Sequence, residues 1–126
     1  TPQEIALIDA RKGIDMFLTD KVNVPVLGIV ENMSWFTPEE LPNNKYYIFG
    51  NGGGARLAEE LGLPLLGQIP LVQGVCEAGD QGVPVALREN TILAEYFSDL
   101  ADRVAKQVAL RNETLPETKK VIVSKH

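Results

Sequence analysis

The sequence predicts an α/β fold in which a partial parallel sheet is flanked by helices. Two runs dominated by aliphatic residues indicate the strands, Val24–Met33 and Pro64–Pro70, and their continuous apolar character is typical of strands covered on both faces. A helix-like pattern lies between the two runs, which favours a β-α-β unit. In open sheets of this class, ligands bind beyond the carboxyl ends of the strands, so we expect the chemistry at Glu31 and Asn32.

Composition limits the function classes that the chain can serve. With 126 residues and 44% hydrophobic content, it can bury one modest core. The formal charge of −5 argues against binding to nucleic acid or to an anionic membrane surface, because both require clustered basic residues. The one cysteine, Cys76, cannot form an internal disulfide, so a reducing cytoplasm is expected. We expect its side chain to be a small buried hydrophobic group.

The first helix is predicted to begin at the very start of the sequence. Thr1 and Glu4 have the spacing of a capping box, and Pro2 occupies the first helical position. Apolar residues then recur on one face up to about Leu18, where we expect the helix to end. Because the sequence does not start with Met, we also expect it to be a fragment of a longer protein.

Residues 34–45 follow the first predicted strand and are interpreted as a loop, since they include two prolines and paired Asn. Trp35 and Phe36 could stack on a ligand next to the strand end. Plain burial or interface packing is the favoured interpretation for such large apolar rings.

A glycine-rich turn, Gly50–Gly54, is predicted to open a second helix that Gly62 ends. It is not a P-loop, because Ala55 and Arg56 stand where the Gly-Lys-Ser/Thr ending would be. A turn of this kind at a helix N-terminus can bind an anion. The favoured interpretation is a permissive turn that sets the entry angle of the helix.

The rest of the chain, from residue 71 onward, carries predominantly structural signals. A short helix or turn is expected over 71–78, a tight loop over 79–84, and a long helix capped by Asn90 or Thr91. Asp80 is interpreted as a turn residue rather than a metal ligand or general base. His126 ends the sequence, which argues against a histidine-based mechanism. Residues 119–123 could form a strand or remain a tail.

Several motifs occur in one order along the chain. They are Thr1-Pro2-Gln3-Glu4 with Ala10-Arg11-Lys12-Gly13, then Gly28-Ile29-Val30-Glu31-Asn32-Met33-Ser34, then Ile48-Phe49-Gly50 with its helix, then Gly67-Gln68-Ile69-Pro70, then Gly79-Asp80-Gln81-Gly82-Val83-Pro84. In this the chain resembles the carboxy-terminal half of the Mrp/ApbC family, which are P-loop ATPases of the MinD and ParA group that act as iron-sulfur cluster carriers. The resemblance implies a fragment of a MinD-like P-loop NTPase fold, with 1–111 belonging to the ATPase domain and 112–126 a tail.

The resemblance also implies site residues, cofactors and partners. Asn32 matches the adenine-contacting Asn, and the segment Ile69, Pro70 and Leu71 matches the one that flanks the base. ATP or ADP with magnesium would be bound by the parent protein, whose Walker A loop and magnesium site would precede Thr1. This fragment would hold no catalytic residue and no metal ligand, and would be inactive alone. A homodimer and iron-sulfur client or scaffold proteins are the implied partners.

One departure from the family concerns the cluster. Many members carry a Cys-x-x-Cys pair shortly after the segment that matches Asn32–Phe36, whereas this chain has Thr37-Pro38-Glu39-Glu40-Leu41 there. Iron-sulfur centres require thiolates, for which carboxylates are poor replacements. Cluster binding by the usual route is therefore not expected here.

Two functions remain in competition at this point. The leading one is an ATP-binding iron-sulfur cluster carrier or assembly ATPase, and the alternative is a non-enzymatic regulatory or dimerisation module on the same scaffold. A GTPase is disfavoured, because guanine readers usually place Lys and Asp after the Asn, whereas Met33, Ser34 and Trp35 follow here.

Overall fold

Helices and strands alternate up to residue 80 and a further helix follows, in agreement with the α/β class that the sequence predicts. The computed structural model describes residues 1–88 and 91–117. Its elements are α1 (Glu4–Leu18), β1 (Ile29–Phe36), α2 (Gly53–Leu61), β2 (Leu65–Leu71), α3 (Gln73–Asp80), a 3-10 turn (Val85–Leu87) and α4 (Ile92–Thr114). Asn90, residues 119–123 and His126 lie outside the described residues.

The two strands form a parallel pair joined through α2, which confirms the predicted β-α-β unit. In the register, Ile29 is opposite Leu65, and Asn32 is opposite Ile69. Helix α2 packs on β1 and α4 packs on β2. The two strands therefore run in the same direction, and their carboxyl ends lie on the same side of the molecule.

The first strand begins and ends later than the apolar run predicts. Pairing with β2 starts only where the Ile29 amide donates to the Pro64 carbonyl at 2.9 Å, so residues 24–28 lie outside the strand. At the far end, Phe36 pairs with Leu71 and also exchanges two backbone hydrogen bonds with Tyr46. The loop prediction is thus wrong for residues 34–36, because these partners extend the ladder.

Helix α1 ends at Leu18 as predicted, but its start differs. The N-cap residue is Gln3, whose side chain makes no capping bond, and the Thr1 hydroxyl accepts from the Gln3 amide at 3.4 Å. The predicted capping box is therefore wrong. Burial is confined to Leu7 and Ile14 on the apolar face, while the exposed Phe17 shows that the last turn lacks cover among the described residues.

The signals for α2 and α4 are confirmed, whereas α3 extends through Asp80, so the loop predicted over 79–84 is wrong for its first two residues. Gly52 precedes α2 with φ 75°, and Gly62 ends it with φ 64°, both in the left-handed region that favours glycine. The Thr91 hydroxyl accepts from the Ala94 amide at 3.2 Å and caps α4. Leu93 and its apolar neighbours on α4 pack on α3 and the 3-10 turn, with Ala78 and Val85 in the same cluster.

Cys76 is exposed on α3, so its predicted burial is wrong. It lies one helical turn before Asp80, with Sγ 3.9 Å from Oδ2 of that carboxylate. The apolar character of a single cysteine does not show which face of a short helix it occupies. In α3, Cys76 lies on the face exposed to solvent. No helix among residues 1–88 and 91–117 is both long and apolar enough to cross a membrane.

Candidate functional site

The candidate site is built on an irregularity in β1. Between the pairs Asn32 with Ile69 and Phe36 with Leu71, β1 advances four residues while β2 advances two. Met33 has φ 54°, which places a residue with a side chain in the left-handed region. Strand irregularities of this kind re-aim side chains and occur often beside functional sites. Asn32 is therefore presented by a bulge within β1, four residues before the strand ends.

Buried and exposed side chains do not alternate across this bulge as they do in a regular strand. Glu31 is 3% exposed and Ser34 is 2% exposed, whereas Asn32 and Met33 between them are exposed. The two polar residues that a simple strand would present to solvent are thus inside. The residue that sequence reasoning assigned to the ligand is outside.

Glu31 connects three elements through its carboxylate. Its Oε2 accepts from the Gly54 amide at 2.6 Å, at the start of α2, and its Oε1 accepts from Gln68 Nε2 on β2 at 3.1 Å. The positive end of the α2 dipole favours a carboxylate at this position, and the two hydrogen bonds offset its desolvation. Glu31 therefore fixes β1 against both α2 and β2.

This contact decides between the two interpretations of the glycine-rich turn. The first turn of α2 binds an anion, but the anion is the Glu31 carboxylate of the same chain. A Cβ at Gly54 would lie 2.7 Å from Oε2 of Glu31, so glycine is required there for close approach. The turn is consequently a packing element, as the sequence favoured.

Asn32 makes one local hydrogen bond. Its Oδ1 accepts from the Met33 amide at 2.8 Å, and one residue further on the Ser34 hydroxyl donates to the Glu31 carbonyl at 3.1 Å. A carbonyl oxygen has two acceptor sites and the amide nitrogen has two donors. The exposed Asn32 side chain thus retains both donor and acceptor capacity for a ligand.

The segment Ile69–Leu71 lies beside the bulge, since Ile69 is the register partner of Asn32. Ile69 is 4% exposed, Pro70 is also buried, and Leu71 is half-buried. The structure therefore brings the four predicted site residues into adjacent strands.

A cleft of about 500 Å³ opens beyond the carboxyl ends of both strands. Its walls come from the ends of β1 and β2, the segments that follow them, the region of the 3-10 turn and the start of α4: Trp35, Thr37, Pro38, Glu39, Pro42, Lys45, Pro70, Val72, Gly74, Val85, Arg88, Thr91, Ile92, Leu93 and Tyr96. Of the four predicted site residues, only Pro70 contributes to these walls. The position agrees with the general rule for ligand crevices in α/β sheets.

Trp35 forms a buried wall of this cleft. It is 8% exposed, and the Tyr96 ring meets it edge-on with centroids 5.9 Å apart. Lys45 Nζ lies 3.9 Å from the Trp35 ring centroid, a cation-π contact. Because these neighbours cover the ring, the packing interpretation of Trp35 is confirmed.

The cleft combines an apolar interior with basic groups. Lys45 and Arg88 contribute cations and Glu39 a carboxylate, and the Arg88 guanidinium donates to Gln81 Oε1 at 3.0 Å. Across residues 1–88 and 91–117, no three His, Cys, Asp or Glu side chains are grouped as a metal site. The cleft is therefore a recess with apolar walls and charged side chains of both signs, which suits an organic ligand.

Sequence reasoning missed the function of Glu31 and Ser34 as buried anchors on either side of Asn32. A signal was present, because an ionisable residue inside an apolar strand must either be paired or lie at the surface. The glycine turn that supplies its partner is 23 residues away, so the pairing itself becomes visible only in three dimensions.

Comparisons with known proteins bear on the same residues. The family model ParA, described as NUBPL iron-transfer P-loop NTPase, matches residues 1–105. An iron-sulfur cluster carrier protein of Synechocystis is 44% identical over 111 residues, which cover 87% of this chain and 31% of the relative.

Two further relatives have similar identity. The iron-sulfur cluster carrier protein of Escherichia coli K12 is 47% identical over 92% of this chain and 31% of its own length. The mitochondrial iron-sulfur protein required for NADH dehydrogenase of Arabidopsis thaliana is 47% identical over 84% of this chain and 33% of its own length. This chain thus spans about a third of the length of these relatives. With the family model matching most of its residues, the chain belongs to the ParA family of NUBPL-type iron-transfer P-loop NTPases.

Proposed function

We propose that this chain is the carboxy-terminal, base-recognising part of a longer ATP-binding iron-sulfur cluster carrier of the Mrp type. The observation that carries the proposal is the parallel pair β1–β2, which presents Asn32 beside Ile69 near a cleft at the carboxyl ends of the strands, in a chain of this family. ATP or ADP with magnesium would be the cofactor, and the phosphates would be bound by a P-loop outside these residues.

The residues fit recognition of an adenine edge. Asn32 has a side-chain amide whose nitrogen donates no hydrogen bond within the described ranges, and its oxygen has an acceptor site beyond the one that Met33 fills. Adenine offers donors and acceptors on one planar edge, so a single amide can bind it in two places. The buried ring of Pro70 forms part of the adjacent cleft wall and gives an apolar surface for the base.

The same residues do not fit the phosphates. The N-terminus of α2, which could otherwise bind an anion, is occupied by Glu31. A bound nucleotide would supply the free energy of hydrolysis for conformational change, whereas the residues of this chain would bind and orient its base. We place hydrolysis in the whole protein and not in this part of it.

The iron-sulfur cluster is the cargo in this proposal. Residues 37–41 contain Thr, Pro, Glu and Leu but no Cys, so they do not provide thiolates for it. A homodimer that delivers clusters to iron-sulfur clients in a reducing cytoplasm is the arrangement we propose. The thiolate ligands would then come from other parts of the protein or from its partners.

The proposal is tested by Asn32→Ala in the full-length protein. Loss of the amide removes about 1 to 3 kcal/mol of hydrogen bonding to the base, so ATP affinity should fall by roughly ten- to a hundredfold. Isothermal titration calorimetry with Mg-ATP measures the affinity, and thermal unfolding measures the stability.

The matched control is Thr19→Ala, which removes an exposed hydroxyl that donates to the Met16 carbonyl at 2.9 Å, at the end of α1. It should leave ATP affinity unchanged. Unchanged affinity in Asn32→Ala together with a lower melting temperature would assign Asn32 to local backbone support and refute the base-contact role.

A further inference from the structure

The bulge in β1 is held from inside at both of its ends. Glu31 and Ser34 are 3% and 2% exposed, and they enclose the exposed Asn32 and Met33. The Ser34 hydroxyl donates to the Glu31 carbonyl at 3.1 Å and so closes the bulge across its two exposed residues. The buried residues Glu31 and Ser34 thus determine the shape of the exposed segment Asn32–Met33.

The bulge is also fixed to the body of the molecule. The Glu31 carboxylate accepts from the Gly54 amide of α2 and from Gln68 of β2, where Gln68 is the register partner of Glu31. The backbone at residue 31 therefore cannot shift along β2 or away from α2 without losing hydrogen bonds to a buried carboxylate, which is costly.

The orientation of the Asn32 amide depends on this arrangement. Its Oδ1 accepts from the Met33 amide at 2.8 Å, and Met33 itself has φ 54°, in the left-handed region. A non-glycine residue adopts this conformation only where its surroundings enforce it, and such residues cluster at ligand-binding sites. Here the enforcement comes from the hydrogen bonds of Glu31 and Ser34 on either side.

We propose that Glu31 and Ser34 are positioning residues for base selectivity: they hold the bulge that orients the Asn32 amide, and they do not touch the nucleotide themselves. The inference rests on the proposed function, since it assigns the selectivity of that same site to two residues beneath it. It adds that selectivity for adenine over other bases depends on the Ser34 hydroxyl and on the Glu31 carboxylate.

The test compares Ser34→Ala with Gln68→Leu in the full-length protein. Ser34→Ala removes the bond that closes the bulge, and Gln68→Leu keeps the side-chain size but removes one donor to Glu31. Affinities for Mg-ATP and Mg-GTP are measured by calorimetry, and their ratio is the readout. Because the two nucleotides share their phosphates, a change in the ratio reports the base contact alone. Ser34→Ala should lower the ratio about tenfold, within the range expected for one misplaced hydrogen-bonding group, and Gln68→Leu should lower it less.

Leu57→Val in α2 is the control for general destabilisation. Leu57 is 2% exposed, so the variant loses core packing while every hydrogen-bonding group of the bulge stays in place. It should lower the melting temperature and leave the ATP to GTP ratio unchanged. Amide hydrogen exchange at Met33 gives a second readout, which should become faster in Ser34→Ala and not in Leu57→Val.

The outcomes separate this inference from the function on which it rests. Wild-type protein that binds no ATP, or binds ATP and GTP equally, refutes the proposed base recognition and the positioning role with it. Wild-type protein that prefers ATP, with an unchanged ratio in both Ser34→Ala and Gln68→Leu, refutes the positioning role alone. If Ser34→Ala does not fold, Gln68→Leu still decides the question.

Discussion

Substitution of Gly54 by Ala should be among the most destabilising single-methyl changes in this protein. The added Cβ would lie 2.7 Å from Oε2 and 2.9 Å from Cβ of Glu31, distances at which one of the two groups must move. Movement of the carboxylate breaks its 2.6 Å hydrogen bond with the Gly54 amide. Glu31 is 3% exposed, so the loss falls on a buried carboxylate.

The expected loss in the free energy of unfolding follows from two costs, and relaxation of the structure exchanges part of one cost for the other. Overpacking costs about 1 to 3 kcal/mol, and loss of a hydrogen bond to a charged group costs about 1.5 to 3 kcal/mol. Relaxation that relieves the first cost incurs the second, so we expect a loss of about 3 kcal/mol in the free energy of unfolding. For a domain of this size, that corresponds to a fall in melting temperature of roughly 10 °C.

The assay is urea unfolding followed by circular dichroism, with Gly13→Ala as the matched control. Gly13 lies inside α1 and a Cβ there would meet nothing within 4 Å, so alanine should stabilise the helix by about 0.5 to 1 kcal/mol. The two variants make the same chemical change with opposite expected signs. A Gly54→Ala variant within 0.5 kcal/mol of wild type would refute the reasoning that the carboxylate needs this close approach.

Three other predictions concern the cap of α4, the buried tryptophan and the isolated chain. Thr91→Ala should cost about 1 kcal/mol in the free energy of unfolding by removing the cap on the Ala94 amide, and Thr91→Ser should restore it; equal stability of the two variants in urea would contradict this. Trp35→Ala should cost about 3 to 5 kcal/mol and weaken the near-ultraviolet dichroism of the aromatic pair with Tyr96, whereas near-native stability would show that the ring is dispensable. The 126-residue chain alone should bind no Mg-ATP with micromolar affinity, because its described residues group no carboxylates for magnesium and Glu31 occupies the N-terminus of α2; tight binding in calorimetry would disprove this.

The elements that local chemistry determines were predictable from the sequence. Gly62 ends α2 and Thr91 caps α4 because each signal acts within one helical turn. The β-α-β unit was also predictable, since two aliphatic runs around a helical pattern leave few other arrangements.

The bounds of β1 were not predictable from periodicity. An apolar run reports burial, but a strand exists only where a partner supplies hydrogen bonds, and here the partner starts at Leu65 and continues to Leu71. Residues 24–28 are apolar but do not pair with β2, whereas Ser34 is polar and lies within β1. The Cys76 error has a related cause, because a short helix carries too few residues to define its buried face.

Only part of the candidate site was predictable from the sequence, because the rest depends on contacts between residues that are far apart along the chain. Asn32 and Ile69–Leu71 were selected by family resemblance and lie in neighbouring strands, so the expected proximity is real. The bulge, the left-handed Met33 and the buried Glu31 depend on contacts with distant residues. Such contacts leave no periodic trace in a single sequence.

The outer side of β1 has a consequence for handling the protein. In the described part of the chain, β1 pairs with β2 and, at Phe36 alone, with Tyr46, and its one ionisable residue is Glu31, which is turned inward. The exposed side chains along it include Val30, at 43% exposure. Natural edge strands commonly carry an outward lysine or a proline that discourages sheet-to-sheet aggregation, and β1 has neither. The solubility of this chain at high concentration therefore depends on keeping that edge covered, and an outward charge at position 30 is the simplest gatekeeper to introduce.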